Sequence, residues 1–179
     1  MRDATLTNYA VTLKKRVSLA KEGDREAFIS LINENKLNLY RVAKAMLNNE
    51  ADIEDAIQNT IIKAYENIEK LRNDALFKTW IIKILINQCN EIIRSNKKIV
   101  FMEEVKEHGG YYDSYENIDL QKAIESLNEE LRVVTILFYY EDLPQEQIAK
   151  ILEIPKGTVR SRLFRARERL AEILDIEKL

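Results

Sequence analysis

Hydrophobic residues recur every three or four positions along most of this chain, which is the spacing of one face of an α-helix. The first such stripe covers residues 28–46 and follows Asp24, whose side chain is suited to a helix N-cap. A second stripe covers residues 53–68, and a third covers residues 77–92. We expect these helices to pack into one bundle over about residues 5–97.

The helical pattern is interrupted between residues 99 and 118. This segment contains five acidic residues against the single base Lys106, together with the pair Gly109-Gly110, and no apolar period runs through it. We interpret it as an acidic linker. Fully extended, twenty residues reach at most about 66–72 Å, which is long enough to keep two domains well apart.

A second helical block follows the linker, with one apolar stripe over residues 120–138 that ends before Pro144. Residues 145–170 then read as two helices joined by a tight turn at Ile154-Pro155. The small Ala149, the apolar turn and Val159 have the spacing that lets two helices cross closely in a helix-turn-helix. The pattern as a whole predicts an all-α protein of two small helical domains, residues 1–98 and 119–179, joined by the acidic linker 99–118.

Composition excludes several other classes of protein. Apolar residues make up 46% and charged residues 32%, as in globular chains, but 4 Gly and 2 Pro are too few for a β-sandwich or a glycine-looped nucleotide fold. One cysteine, Cys89, and one histidine, His108, cannot form an internal disulfide or a structural zinc site. No signal-peptide pattern is present, and no apolar stretch approaches the ~20 residues of a membrane span, so we expect a cytoplasmic protein without a bound metal.

The charge balance conceals a strongly basic helix. Although 28 Lys+Arg face 30 Asp+Glu overall, residues 156–170 contain six bases and the single acid Glu168. Phe164 lies about 100° away from the apolar stripe of this helix, so we expect it to be exposed. Arginine can pair with guanine or phosphate, and an apolar side chain can contact a thymine methyl, so the helix is suited to a DNA major groove. The alternative is a solvated basic face, or arginines favoured by the helix dipole.

A cluster of acids lies at the start of the second stripe. Glu50, Asp52, Glu54 and Asp55 occur within six residues, and Gln58 follows one turn after Glu54. Acids at the beginning of a helix are explained first by capping and by the helix dipole. The same polar face is also suited to a basic partner surface, and the two explanations are compatible.

Three ordered motifs resemble those of one family, the extracytoplasmic-function (ECF) sigma factors of bacterial RNA polymerase. Residues 155–167, PKGTVRSRLFRAR, resemble the signature of that family. Residues 52–60, DIEDAIQNT, resemble its polymerase-docking helix, and Phe77-Lys-Thr-Trp80 with Ile84 and Asn87 resembles the helix that begins promoter opening. Together the motifs cover nearly the whole chain, which makes the resemblance much more specific than a lone helix-turn-helix.

The resemblance implies a function and a set of contact residues. It implies a subunit that binds core RNA polymerase, recognises two elements of promoter DNA and helps to melt the duplex, with no cofactor, metal or small-molecule substrate. The recognition helix would contact the minus-thirty-five element through Lys156, Thr158, Arg160, Ser161, Phe164, Arg165 and Arg167. A loop would capture a flipped base of the minus-ten element, with contacts from Leu71, Arg72, Asn73, Asp74, Ala75, Leu76 and, at the floor of the pocket, Asn87.

Two protein partners are also implied. Docking to the coiled coil of the polymerase largest subunit would use Asp52, Glu54, Asp55 and Gln58. A membrane-anchored anti-sigma factor is the second implied partner, and it could hold the protein at the membrane face. The chain departs from the family at Glu153, where glycine is usual, and at Asn59, where an acid is common.

Several alternatives remain open from the sequence. Phe77 and Trp80 are also explained as core residues, and Asn87 as a hydrogen-bonded amide on a helix surface. The helix-turn-helix could instead belong to a two-domain regulator that binds duplex operators alone, usually as a dimer. We reject an enzyme, since the sequence offers neither a nucleophile–base pair nor a glycine-rich phosphate loop.

Overall fold

The computed structural model describes residues 2–100 and 118–174, with side chains for residues 11–96 and 120–174, and every regular element in these ranges is helical. The N-terminal domain contains four helices: α1 (Arg2–Lys21), α2 (Arg25–Met46), α3 (Glu50–Asn67) and α4 (Phe77–Val100). Two 3₁₀ turns, Ile68–Lys70 and Asp74–Leu76, connect α3 to α4. Over the described ranges, no helix combines the length and the apolar character needed to cross a membrane.

Side-chain caps begin two of these helices. The Asp24 carboxylate accepts a hydrogen bond from the Ala27 backbone N–H at 3.0 Å, which confirms the N-cap predicted for α2. The Asn49 side chain accepts from the Ala51 N–H at 2.9 Å at the start of α3. The connection between α1 and α2 passes through Gly23 with φ of 95°, a conformation that glycine adopts without steric cost.

The C-terminal domain is built from shorter elements than the apolar stripe predicts. They are α5 (Ile118–Glu125), α6 (Glu129–Thr135), a π-helical segment (Ile136–Tyr140), α7 (Gln145–Leu152) and α8 (Lys156–Ile173). The continuous stripe over 120–138 is interrupted because Asn128 caps α6, its side chain accepting from the Leu131 N–H at 3.0 Å. Residues 101–117, most of the expected linker, lie outside the described residues, so the boundaries at 98 and 119 stay predictions.

One contiguous apolar core joins the two domains. It includes fully buried side chains of the N-terminal domain, such as Phe77 and Leu85, and of the C-terminal domain, such as Leu137, Ile148 and Val159. Helices α2 and α4 contact α6, the π-helical segment and α7. The sequence shows a linker long enough for separation, whereas the described residues of the two domains are packed together.

The tight turn between α7 and α8 contains a strained residue. Glu153 has φ of 55° and ψ of 40°, the left-handed conformation that glycine adopts most readily, at the position where the family usually has glycine. Its carboxylate lies 3.5 Å from Lys83 Nζ, but the side chain is 74% exposed, so this ion pair adds little stability.

Glu153→Gly is therefore expected to stabilise the protein by about 1 kcal/mol, because relief of backbone strain exceeds the loss of an exposed ion pair. Urea denaturation followed by circular dichroism measures the change. Glu153→Asn, which tolerates the left-handed region, should give a smaller gain. A fall in stability for the glycine variant would mean that the ion pair outweighs the strain.

Candidate nucleic-acid interface

The recognition helix α8 has one face committed to packing. Val159, Leu163 and Ala166 are buried against the C-terminal domain, in contact with α6 and α7. Their spacing of four and three residues is the one that the sequence assigned to the inner face. The opposite face of α8 is therefore exposed to solvent.

The exposed face of α8 combines an aromatic ring with arginines. Phe164 is 55% exposed, as its offset from the stripe predicts, and Arg160, Arg165 and Arg167 are exposed around it. A large exposed ring in a domain with a well-formed core is the less common arrangement for phenylalanine. The exposed face of α8 therefore carries the apolar ring of Phe164 with the guanidinium groups of Arg160 and Arg165 on either side of it.

The first turn of α8 is held by local contacts. Lys156 Nζ donates to Glu146 Oε1 at 2.6 Å, and this hydrogen bond and charge hold the pKa of Glu146 below its ordinary value. Ser161 Oγ donates to the Thr158 backbone oxygen at 3.0 Å, while the Thr158 side chain is half-buried. Lys156 and Ser161 remain exposed, so both can exchange these partners for phosphate or base atoms.

Not every arginine of α8 is available to DNA. Arg162 Nη2 lies 2.9 Å from Glu130 Oε1 on the neighbouring helix α6, and its side chain is mostly buried. Arg169 Nη1 lies 2.9 Å from Glu172 Oε2, one turn along α8, but both side chains are exposed, so this pair can open as the Lys156–Glu146 pair can. The positive charge of the helix is therefore divided between exposed side chains and Arg162, which joins α8 to α6.

The expected minus-ten loop is anchored to α1. Lys21 Nζ donates to the Leu71 backbone oxygen at 2.6 Å and forms an ion pair with Asp74. The Asn73 side chain accepts from the Ala75 N–H at 3.1 Å. Leu71 is buried, whereas the side chains of Arg72, Asn73, Ala75 and Leu76 are exposed. The exposed members, and not Leu71, are therefore the ones whose side chains can meet a base.

A shallow groove between α3 and α4 contains the other expected minus-ten residue. Asn87 is exposed in this groove, with the half-buried Trp80 beside it. Its lining consists of Lys63, Asn67, Lys70, Trp80, Ile84, Asn87, Gln88 and Glu91. Asn87 and Trp80 line this groove together, and so does Lys70, directly before the loop, whereas residues 71–76 do not.

Phe77 and Trp80 differ in burial although their ring centroids lie 5.8 Å apart. Phe77 is fully buried in the core, which identifies it as a structural residue. Trp80 is only half-buried and borders the groove, so one part of its indole is available for stacking. Phe77 is thus a core residue, whereas stacking by Trp80, which packs against the core and also borders the groove, stays a prediction.

The acidic start of α3 presents the expected docking side chains on its surface. Glu54, Asp55 and Gln58 are exposed, whereas Asp52 Oδ2 accepts a hydrogen bond from Asn96 Nδ2 at 2.9 Å. Because Asn49 supplies the side-chain cap, none of these carboxylates is needed for that task. Ile62, 54% exposed, lies one turn beyond Gln58 on the same face and extends the surface with an apolar side chain.

Sequence reasoning missed the residues whose partners are distant in the chain. Lys21, which holds the loop, lies 53 residues from Asp74, and no pattern in the sequence links the two. Lys63 of α3 and Lys70 of the 3₁₀ turn after it both line the groove. The sequence shows them as cations that follow the docking acids, and this could have drawn attention to them. In the described ranges, no cluster of three or more His, Cys, Asp or Glu side chains could hold a metal ion.

Comparison with known proteins gives two family matches and several close relatives. Residues 31–99 match the model for sigma-70 region 2, and residues 117–170 match the model for sigma-70 region 4. The chain is 32% identical over 149 residues to the RNA polymerase sigma factor SigV of Bacillus subtilis, covering 82% of this chain and 90% of that protein. It is 31% identical over 180 residues to the ECF sigma factor SigW of the same organism, covering 90% and 96%.

A solved structure shows the same fold. The sigma factor RpoE of Bartonella quintana, in complex with the anti-sigma factor NepR, matches with a TM-score of 0.70 and 27% identity, covering 84% of this chain and 98% of that one. The two matched regions contain the docking helix, the groove helix and the helix-turn-helix described above. The chain therefore belongs to the extracytoplasmic-function sigma factors of bacterial RNA polymerase.

Proposed function

We propose that this chain binds core RNA polymerase and directs it to promoters by reading a minus-thirty-five element as duplex and a minus-ten element as melted single strand. The observation that carries the proposal is the exposed face of α8, on which Phe164 lies between Arg160 and Arg165. On the second helix of a helix-turn-helix, such a face fits the major groove. Lys156, Ser161 and Arg167 add contacts to the adjacent backbone, and Thr158 orders the first turn of the helix.

For the minus-ten element, the proposal uses two neighbouring surfaces. The exposed loop side chains Arg72, Asn73, Ala75 and Leu76 would enclose a flipped base, with Asp74 and Leu71 acting through the anchor to Lys21. Trp80 and Asn87 would offer a stacking surface and an amide along the groove. An unstacked base needs both a π-surface and polar partners for its edge.

Docking to polymerase is assigned to Glu54, Asp55 and Gln58, with Asp52 tied to Asn96 and oriented by it. Asp55→Ala is expected to weaken binding to core polymerase by about five- to thirty-fold, or about 1–2 kcal/mol, because it removes an exposed charge from the centre of this face. Fluorescence anisotropy with labelled protein measures the affinity.

The matched control for docking is Glu69→Ala, which removes an exposed acid in the 3₁₀ turn beyond the other end of α3. This variant should bind polymerase as the wild type does. If the Asp55→Ala variant and the wild type had equal affinity for core polymerase, the docking surface would have to lie elsewhere on the domain.

The proposal includes one further partner and a location. Because the matched RpoE structure contains an anti-sigma factor, we assign such a partner to this chain as well. The protein would act in the cytoplasm, held at the membrane face if that partner is membrane-anchored. The protein would bind polymerase and help to melt DNA, and it would not itself catalyse a chemical reaction.

Footprinting on genomic promoter fragments tests the proposal. Two protected segments, corresponding to the two elements, are expected only when core polymerase and this protein are both present. Strong protection of one duplex site by the protein alone, as a dimer and without any gain from polymerase, would instead identify a free-standing operator-binding regulator.

A further inference from the structure

Local contacts shape the minus-ten loop but do not fix where it lies. Its two ends are held by the buried side chains of Leu71 and Phe77. Between them, the Asn73 side chain accepts from the Ala75 N–H at 3.1 Å, and the Leu76 N–H donates to the backbone oxygen of the same asparagine at 2.9 Å. Because these hydrogen bonds lie within one turn, they set the shape of that turn and not its position on the domain.

A contact from outside the loop supplies that position. Lys21, the last residue of α1, donates from Nζ to the Leu71 backbone oxygen at 2.6 Å and forms an ion pair with Asp74. These two partners are 50 and 53 residues away along the chain. One ammonium group therefore joins the start of the loop to the start of its 3₁₀ turn, and it ties both to another helix.

The end of α1 that carries Lys21 is itself well packed. Val17 and Ala20, both within the last turn and a half of the helix, are buried in the core. Directly after the helix, the Gly23 N–H donates to the Ala20 oxygen at 3.2 Å, which closes the helix end. The ammonium group therefore extends from a support whose position is set by the core of the domain.

Burial distinguishes this ion pair from the exposed pairs of the surface. The side chains of Lys21 and Asp74 are 23% and 26% exposed, whereas those of Lys156 and Glu146 in the C-terminal domain are 58% and 69% exposed. Mostly buried charges are weakly screened by salt, and each is costly without the other. A lysine at the end of a helix is also favoured by the helix dipole, but the dipole requires neither the Leu71 oxygen nor Asp74 as a partner.

The two anchored residues enclose the side chains that would meet a base. Arg72 and Asn73 lie between Leu71 and Asp74 in the chain, Ala75 follows, and all three of these side chains are exposed. A site held in one geometry rejects ligands of the wrong shape, whereas a loosely held loop can adapt to several of them. The position of the anchored residues therefore bears on which base is selected and not only on whether DNA is bound.

We propose that Lys21 is a positioning residue for the minus-ten element, which holds Leu71 and Asp74 so that the loop accepts one base and rejects the others. Lys21 acts through the loop and not by contact with DNA. The inference rests on the proposed function, since it requires that the loop captures a base. It extends the determinants of promoter choice to α1, which precedes residues 31–99, the part of the chain that matches sigma-70 region 2.

Base selection by the holoenzyme tests the assignment. The probes are forked DNAs with a duplex minus-thirty-five element and a single-stranded minus-ten segment, and they differ only in the base at one single-stranded position. Selectivity is the ratio of affinities for the preferred base and for the others. Lys21→Met should lower this ratio about tenfold at the position where the wild type is most selective, because the loop is no longer held in one geometry. Lys21→Arg, which keeps the charge and the N–H donors, should restore most of the selectivity.

Two further variants separate positioning from charge. Lys15→Met is the matched control, because it makes the same change at an exposed lysine of the same helix, and it should keep the selectivity of the wild type. The double variant Lys21→Met/Asp74→Asn removes the unpaired acid but leaves the Leu71 oxygen without its donor, so it should stay unselective. Restored selectivity in the double variant would overturn the positioning role, since neutralisation of Asp74 would then be all that Lys21 supplies.

Hydrogen exchange in the free protein gives a second measurement that needs no DNA. The amides of Ala75 and Leu76, both hydrogen-bonded within the loop, should exchange about tenfold faster in Lys21→Met than in Lys15→Met, while the buried Leu85 of α4 keeps its protection. Equal loop exchange or equal base selectivity in the two variants would overturn the inference, and so would an equal loss of protection at Leu85, which would make the role one of general stability. Failure of the proposed function would show separately, as a wild-type holoenzyme that selects no base at any single-stranded position.

Discussion

Arg165→Ala is expected to reduce promoter use by about 5- to 150-fold, because the loss of a paired guanidinium from a base edge costs about 1–3 kcal/mol. Arg165 is exposed on α8 next to Phe164, on the face opposite the buried stripe. Binding of the variant holoenzyme to a promoter fragment measures the effect, and affinity for core polymerase should not change.

Arg162→Ala is the matched control for this prediction, since it removes the same side chain from the same helix. Its guanidinium is directed to Glu130 of α6 and its side chain is mostly buried, so the expected loss is about 1–2 kcal/mol of folding stability, from the ion pair and the packing of the stem, with promoter affinity intact. Equal promoter defects in the two variants would show that the effect is a general loss of positive charge. If the Arg165→Ala holoenzyme bound the promoter as tightly as the wild type, Arg165 would not be a promoter contact.

Phe77→Ala is expected to lower the free energy of unfolding by about 3–5 kcal/mol, because it leaves a cavity at a fully buried aromatic position. Phe77 begins α4 immediately after the minus-ten loop, so its packing fixes both the helix and the loop end. The midpoint of urea denaturation should fall with little change in the slope of the transition.

Trp80→Ala separates stability from function at the neighbouring ring. Because Trp80 is half-buried and borders the groove, its loss should cost less stability than that of Phe77 and reduce promoter opening in a protein that remains folded. Opening is followed by the reactivity of unpaired thymines to permanganate. A Trp80→Ala variant that opens promoters normally would make this indole a core residue only.

The parts of the fold that the sequence predicts are those with strong local signals. Pro144 and Pro155 directly precede α7 and α8, and the spacing of Val159, Leu163 and Ala166 determines which face of α8 is inside. The exposure of Phe164 then follows from helix geometry alone. Glu153 stands where the family usually has glycine, and its backbone adopts the left-handed conformation that this departure from the family pattern leads one to expect.

The missed features depend on tertiary contacts. Glu141 reads as a surface residue because glutamate is almost never fully buried, and its partners Arg41 and Lys78 are 100 and 63 residues away. The break at Asn128 and the π-helical segment lie inside a continuous apolar stripe, which carries no signal for either. Within α8, composition cannot distinguish Arg162 from Arg165, since only the position of Glu130 separates their roles.

The uneven charge of the chain also has a physical explanation in this account. In the proposed function the basic face of α8 and the acidic start of α3 serve different partners, and the net charge of −2 over the whole chain conceals both. The carboxylates of Glu141 and Glu153 in the C-terminal domain also form ion pairs with Lys78 and Lys83 of α4. We expect the free protein to bind DNA weakly, because the chain as a whole carries no excess of positive charge.

Run-off transcription in a purified system tests the central claim most directly. Core RNA polymerase alone, this protein alone, and the two together are each added to a template that contains both elements upstream of one start site. The account predicts a discrete transcript only from the combination, lost when either element is scrambled. A transcript of equal yield from core polymerase alone, or none from the combination despite tight binding of this protein to the duplex, would contradict it.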